Sequence, residues 1–170
     1  PPRSTLFPYT TRFRSGQKLC FVGDGNNMAN SLIVGGLMAG MQVSAVCPEG
    51  CEPSRTVLEY AKAYGDKFTL STDPKAGAQG ADVVYTDAWI STGSEEEQLL
   101  RRRHFRGYQV NEELLALAKP DCMVLHCLPA RKGEEIAVET FERHADEIFE
   151  ETENRLHAQK AVLAILMGGR

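Results

Sequence analysis

Four short stretches hold residues able to do chemistry: Gly23-Asp24-Gly25-Asn26-Asn27, Asp87-Ala88-Trp89-Ile90-Ser91-Thr92-Gly93, His126-Cys127-Leu128-Pro129 and Glu153-Asn154-Arg155-Leu156-His157. The cysteine of the third could be a nucleophile, a group that positions an amine, or only a small buried residue. A nucleophilic thiol needs a base beside it. His126 is adjacent in sequence but points to the opposite face if the strand continues through it, which weighs against a Cys–His dyad. Asp87, with Trp89 and the hydroxyl of Ser91 just beyond it, suits recognition of a cationic amine; a loop that caps the next helix accounts for the pattern equally well. Asn26 and Asn27 stand where a helix begins. Either can be its N-cap, and either amide can take a substrate carboxylate, so spacing alone does not choose. Arg155 reads as lying in the first turn of the last helix, where a guanidinium opposes the helix dipole. An anion such as phosphate would explain it, as would plain pairing with Glu151 or Glu153.

Two other chemistries fit poorly. Gly23-Asp24-Gly25 invites a dinucleotide reading, but Met28 replaces the third glycine. The second strand also ends at Val46-Cys47-Pro48, with no acid for a ribose hydroxyl. For zinc, Cys47 and Cys51 make one pair without a second, and the four histidines are scattered. No metal and no organic cofactor is expected.

The elements that must position these residues alternate in type. Strands are expected over Lys18–Val22, Met41–Val46, Lys67–Leu70, Ala81–Tyr85 and Met123–His126. Helices are expected over Met28–Met38, from a Ser54 cap through Tyr64, from Asp73-Pro74, over the exposed Ser94–Arg103, from an Asn111 cap over Glu112–Ala118, and over Glu139–Ala145 and Asn154–Met167. Strands separated by helices imply one α/β domain: a Rossmann-like parallel sheet with helices on both faces. Ligands then bind beyond the carboxyl ends of the strands, where GDGNN, CPEGCEP, TDAWISTG and HCLPARKG all fall. AKAYGDK and AKPDC, at the other edge, look like plain connectors.

The 170 residues are 42% hydrophobic and 25% charged, with a net charge of -4, as expected of a chain with a real core. The acidic balance argues against nucleic acid or an anionic membrane as partner. No apolar run is long enough for a transmembrane helix. Five cysteines, odd in number and unevenly spaced, fit reduced thiols in the cytoplasm better than a disulfide framework. Residues 1–15 stand apart: they have no periodicity, three arginines and no acid. Thr5 to Ser15 (TLFPYTTRFRS) resembles the translation of a sequencing adapter, so 1–15 is expected to be unstructured and foreign, with the natural sequence running from about Gly16. Without those arginines the remainder holds 16 basic and 23 acidic side chains.

In this order and at these intervals, GDGNN, TDAWISTG with its glutamate run, GYQVNEELL, AKPDCMVLHCLPARKGEE and ENRLHAQKA resemble the ornithine-binding half of the ornithine carbamoyltransferases, from about Gln17 to the end. HCLP is the most specific of these motifs, and the Asp-Trp-Ser loop separates the ornithine enzymes from putrescine relatives. The resemblance implies transfer of the carbamoyl group of carbamoyl phosphate to the δ-amine of L-ornithine, giving citrulline and phosphate. It implies that Asn27 holds the α-carboxylate or amino end of ornithine and Asp87 its ammonium group, with Ser91 and Thr92 completing the pocket. Cys127 would sit beside the reacting amine, the Leu128 carbonyl would meet the carbamoyl nitrogen after a cis peptide to Pro129, and Arg155 would reach carbamoyl phosphate. Thr92 departs from the family, which has methionine there.

The family also has an amino-terminal carbamoyl-phosphate domain with Ser-x-Arg-Thr-Arg and His-Pro-x-Gln motifs, neither of which occurs in residues 16–170. It assembles as a homotrimer or larger. This chain alone is therefore expected to be monomeric and without useful transfer activity. Its last helix, which crosses to the other domain in the family, would leave its apolar face from Leu156 to Leu166 exposed or fold it back. A carbamoyltransferase for another amine and a non-catalytic binding module are the rival readings; Asp87, Cys127 and Arg155 occurring together favours the enzyme.

Overall fold

The computed structural model describes residues 16–90 and 94–168. The expectations for residues 1–15 and for Ser91 and Thr92 lie outside the described residues. Five strands form one fully parallel sheet: β1 (Lys18–Val22), β2 (Gln42–Val46), β3 (Phe68–Ser71), β4 (Val83–Thr86) and β5 (Met123–His126), in the spatial order β3-β2-β1-β4-β5. The chain first winds outward from β1 to β3, then returns to the other side of β1 for β4. Loops leaving β1 and β4 consequently diverge and open a crevice at the carboxyl edge. Register aligns its floor: Val22 lies opposite Val46 and Thr86, and Thr86 opposite His126. The next residues, Gly23, Cys47, Asp87 and Cys127, therefore emerge side by side.

Both sheet faces are covered, as the near-continuous apolar strands require. On one face Leu19, Phe21, Val43, Ala45 and Tyr85 pack with Ile33 and Leu37 of α1 (Asn27–Met38) and Ala61 of α2 (Arg55–Lys62). On the other face Cys20, Val22, Val84 and Val124 pack against α3 (Pro74–Ala78), α5 (Glu112–Leu115) and α6 (Val138–Arg143) through Ala78, Leu114 and Phe141. Side-chain oxygens of Asn26, Ser54, Asp73 and Asn111 accept amide hydrogen bonds at the helix starts. Ahead of α4 (Glu95–His104), Ser94 and Glu97 form a reciprocal capping box. Ser94→Ala should destabilise this exposed helix by about 1 kcal/mol. Hydrogen exchange along residues 95–104 would register it as faster exchange in the first turn.

The end of the chain departs from the sequence expectation. After His144 a single helix, α7 (Ala145–Met167), runs for 23 residues instead of opening at Asn154. Arg155 is therefore in mid-helix, and the argument from a guanidinium opposing a helix N-terminus does not apply to it. The stretch 145–153 carries no apolar stripe because it docks through polar groups: Ile148 is its one buried residue. The Val124 and His126 amides on the open edge of β5 donate to Glu147 Oε2 (2.8 Å) and Glu151 Oε2 (3.2 Å). Beyond that turn Leu156, Val162, Leu163 and Leu166 are exposed. Among the described residues no helix is long and apolar enough to cross a membrane.

Candidate active site

The crevice is an open cleft of about 1300 Å³ over the β1 and β4 loops, bounded by α4 and by Pro129 and Arg131. At its base the ends of β1 and β4 are tied by Thr86 Oγ1, which donates to the Val22 carbonyl at 2.8 Å. Asp87 follows directly and is half-buried. Its Oδ2 accepts from Asn26 Nδ2 at 2.7 Å, and its Oδ1 accepts from its neighbour Ala88 N at 2.7 Å and from the Cys127 thiol at 3.0 Å. Three donors thus aim one carboxylate at the cleft.

This geometry separates the two asparagines. Asn26 is the cap: its Oδ1 accepts from Met28 N and Ala29 N, which leaves its amide nitrogen for Asp87. Asn27 begins α1, exposed on the cleft, with no side-chain partner among the described residues.

Cys127 is 8% exposed. Burial, and secondarily the hydrogen bond to Asp87, push its thiol up to about 12. It holds its proton and presents a donor, not a thiolate. His126 is nearer than strand alternation implies, because β5 ends there and Leu128 turns the backbone with φ 54°. Single donor atoms of Asp87, His126 and Cys127 lie within 4.8 Å of one another. Their bonds nevertheless run apart. His126 Nδ1 accepts from Leu128 N at 2.9 Å, which assigns the proton to Nε2, and Nε2 faces the buried Glu135 Oε1 at 3.1 Å. No Cys–His hydrogen bond forms. A cation there would have to displace bonds at both ring nitrogens and take the thiol proton. The Leu128–Pro129 peptide is cis, as the resemblance implies.

One residue of the site, Arg101, carries no signal in the sequence. Arg101, inside an exposed-looking run, donates from Nε to the Trp89 carbonyl and pairs with Asp24, so α4 clasps the β1 and β4 loops together. Burial raises the Asp24 pKa, Arg101 opposes that, and Asp87 adds to it. Trp89 stacks on Phe105 with centroids 5.3 Å apart. Arg155, exposed on α7, donates from Nη1 to the Cys127 carbonyl at 3.4 Å, so the structure brings together Asn27, Asp87, Cys127, Leu128 and Arg155 around one loop cluster.

All five cysteines are free. Burial pushes Cys20, Cys47 and Cys127 to about 12 and Cys122 to about 11. Cys51 is only half-buried and its thiol is raised by burial and Asp24. Iodoacetamide near neutral pH should therefore modify Cys51 first, and Cys127 should react appreciably only as pH climbs toward 12. Peptide mapping by mass spectrometry reads the order; early modification of Cys127 would contradict it.

A doubly wound parallel sheet that gathers a carboxylate, a protonated thiol and a free amide at its switch point defines a small-molecule-binding α/β domain. The chain belongs to the aspartate/ornithine carbamoyltransferase family: residues 15–166 match the family model for the Asp/Orn-binding domain. It is 51% identical over 163 residues to an ornithine carbamoyltransferase of Methanosarcina acetivorans, covering 96% of this chain and 54% of that protein. An anabolic ornithine carbamoyltransferase of Pyrococcus furiosus is 46% identical over 158 residues, 91% of this chain and 50% of that one. Among solved structures, ornithine carbamoyltransferase from Pyrococcus furiosus superposes with a TM-score of 0.87 at 42% identity, covering 98% of this chain and 55% of the other. The anabolic enzyme of Campylobacter jejuni gives 0.86 at 34% identity, covering 98% and 56%. The chain spans about half the length of the curated relatives it matches.

Proposed function

We propose that residues 16–170 are the ornithine-binding half of an ornithine carbamoyltransferase, and that residues 1–15 are foreign to it. The observation that carries the first part is Asp87, held by three donors at the mouth of the sheet, with the Asn27 amide, which has no partner among the described residues, on the same cleft. A carboxylate and an amide set apart in this way match the ammonium and carboxylate of an amino acid. Ser91 and Thr92, which lie outside the described residues, are the further ornithine contacts that the family resemblance implies. The δ-amine, once deprotonated, attacks the carbonyl carbon of carbamoyl phosphate; the new C–N bond forms as the C–O bond to phosphate breaks, and the amine proton leaves. Cys127, as a neutral thiol, orients the reacting amine and forms no acyl-enzyme. The Leu128 carbonyl takes the carbamoyl N–H, and Arg155 stabilises charge on the departing oxygens. Holding both substrates in line contributes on the order of 7–11 kcal/mol in favourable cases.

No cofactor takes part. The whole enzyme acts in the cytoplasm as a homotrimer or larger assembly, without nucleic acid or membrane, and this half alone is monomeric and does not turn over. The anabolic names among its relatives support a role in arginine biosynthesis. The family-model match begins at residue 15, whereas the match to the Methanosarcina acetivorans relative takes in 163 residues and so extends into residues 1–15; sequencing the source DNA across the codons for Ser15 and Gly16 decides where the natural sequence begins. The chemistry is tested with the chain joined to the part of the Methanosarcina acetivorans relative that lies outside the match, given carbamoyl phosphate and a choice of amines. L-Ornithine should be carbamoylated and putrescine, which has no carboxylate for Asn27, should not. Equal use of putrescine would move the activity to another amine.

A further inference from the structure

We infer that Glu151 is a positioning residue for Arg155: α7 lies along the open edge of β5, and the Glu151 carboxylate fixes where the guanidinium meets the substrate loop. This rests on the reading of Arg155 as a substrate-binding group.

Among the described residues β5 pairs only with β4, so alternate amides on its outer side can bond elsewhere. In α7 residues four apart are separated by roughly 6 Å along the axis, and in a strand residues two apart by roughly 6.6 Å. A helix laid parallel to an edge strand can therefore meet alternate amides with side chains at i and i+4. Glu147 takes Val124 N and Glu151 takes His126 N. The next step of the same spacing is Arg155. Past His126 the backbone turns, and the group presented is no longer an N–H but the Cys127 carbonyl. There the helix side chain changes from acid to base, and Arg155 Nη1 reaches that oxygen at 3.4 Å.

Glu147 meets Val124 N and His144 Nδ1 (3.3 Å) on the same oxygen, Oε2, whereas Glu151 has a donor from a strand on each of its oxygens. Its Oε1 accepts from the buried Tyr85 hydroxyl on β4 at 2.5 Å, so two strands hold one carboxylate. Burial and Glu151 both raise the Tyr85 pKa, which keeps the phenolic proton in place to donate. The two oxygens of Glu151 thus have one donor each, and a glutamine could satisfy only one of them.

That count sets the test. In the 170-residue chain, NMR of arginine Nε–H groups should show Arg155 apart from the other exposed arginines. E151A should collapse its signal among theirs and speed exchange of the His126 amide. E151Q should do so in large part, since its NH2 faces one donor. Y85F/E151Q should regain the wild-type signal, because a single acceptor then serves the single remaining donor. In the enzyme carrying both halves, E151A should raise KM for carbamoyl phosphate about tenfold, the worth of roughly one charge-assisted hydrogen bond, with KM for ornithine little changed. On an R155A background that effect should vanish, since the two side chains act through one contact. An Arg155 signal indifferent to E151A, or E151A and R155A effects that simply add, would overturn the inference. If R155A itself leaves KM for carbamoyl phosphate unchanged, the role given to Arg155 fails, and the NMR series alone decides whether Glu151 positions it.

Discussion

Asp87→Asn should weaken ornithine use by about 10- to 150-fold in kcat/KM, the loss expected when a charge-assisted hydrogen bond worth about 1.5–3 kcal/mol is removed. The native carboxylate accepts on both oxygens, from Asn26 Nδ2 on one side and from Ala88 N and the Cys127 thiol on the other. An asparagine of the same shape has one acceptor. Its NH2 must face either the Asn26 amide or the Ala88–Cys127 pair, and it offers no charge to an ammonium. The fold should survive, because Asp87 is half-buried at a loop and the strand register beneath it involves only backbone. Steady-state kinetics in the enzyme carrying both halves, beside a melting curve of the chain, separates these effects. An unchanged kcat/KM with ornithine would remove Asp87 from the site.

Gly25→Ala should lower stability by about 3 kcal/mol or more, through a steric mechanism. The Gly25 amide donates to the Cys51 carbonyl at 2.8 Å, drawing the β1 loop against the turn after β2. A Cβ on Gly25 would overlap the backbone at Glu52 and Pro53 and stand 2.5 Å from the Cys51 oxygen. Backbone atoms on both sides cannot swing away as a side chain would. The two loops must part, and Asn26 and Asn27, the next residues, move with them. For a domain of this size such a loss corresponds to a melting temperature lower by roughly 6–12 °C. Thermal unfolding followed by circular dichroism measures it, and a variant that melts with the wild type would show that the loops are not closely held.

What the sequence made legible follows from which interactions are local. The parallel sheet could be read because its strands are buried on both faces and show as short apolar runs, such as Lys18–Val22 and Met123–His126, between capped helices. The rule that ligands gather at carboxyl ends of strands then picked out Asp87 and Cys127 before any distance was known. The choice between Asn26 and Asn27 was not legible, because it depends on Asp87, 61 residues further on. The start of α7 was misread because residues 145–153 dock through carboxylates on strand amides, which leaves no apolar periodicity. Arg101 stands among three consecutive arginines. Nothing in their spacing distinguishes the one that reaches Asp24 and Trp89 from its exposed neighbours.

The central claim is that the cleft over Asn27 and Asp87 holds an amino acid whose side-chain amine reaches Cys127. A crystal structure of the enzyme carrying both halves tests it most directly. The ligand would be a stable analogue in which a phosphonoacetyl group is joined to the ornithine δ-nitrogen. The predicted result places the α-carboxylate on the Asn27 amide, the α-ammonium on Asp87, the δ-nitrogen beside the Cys127 thiol and the phosphonate within reach of Arg155, each at about 3 Å. An amino-acid end bound away from Asn27 and Asp87 would contradict it.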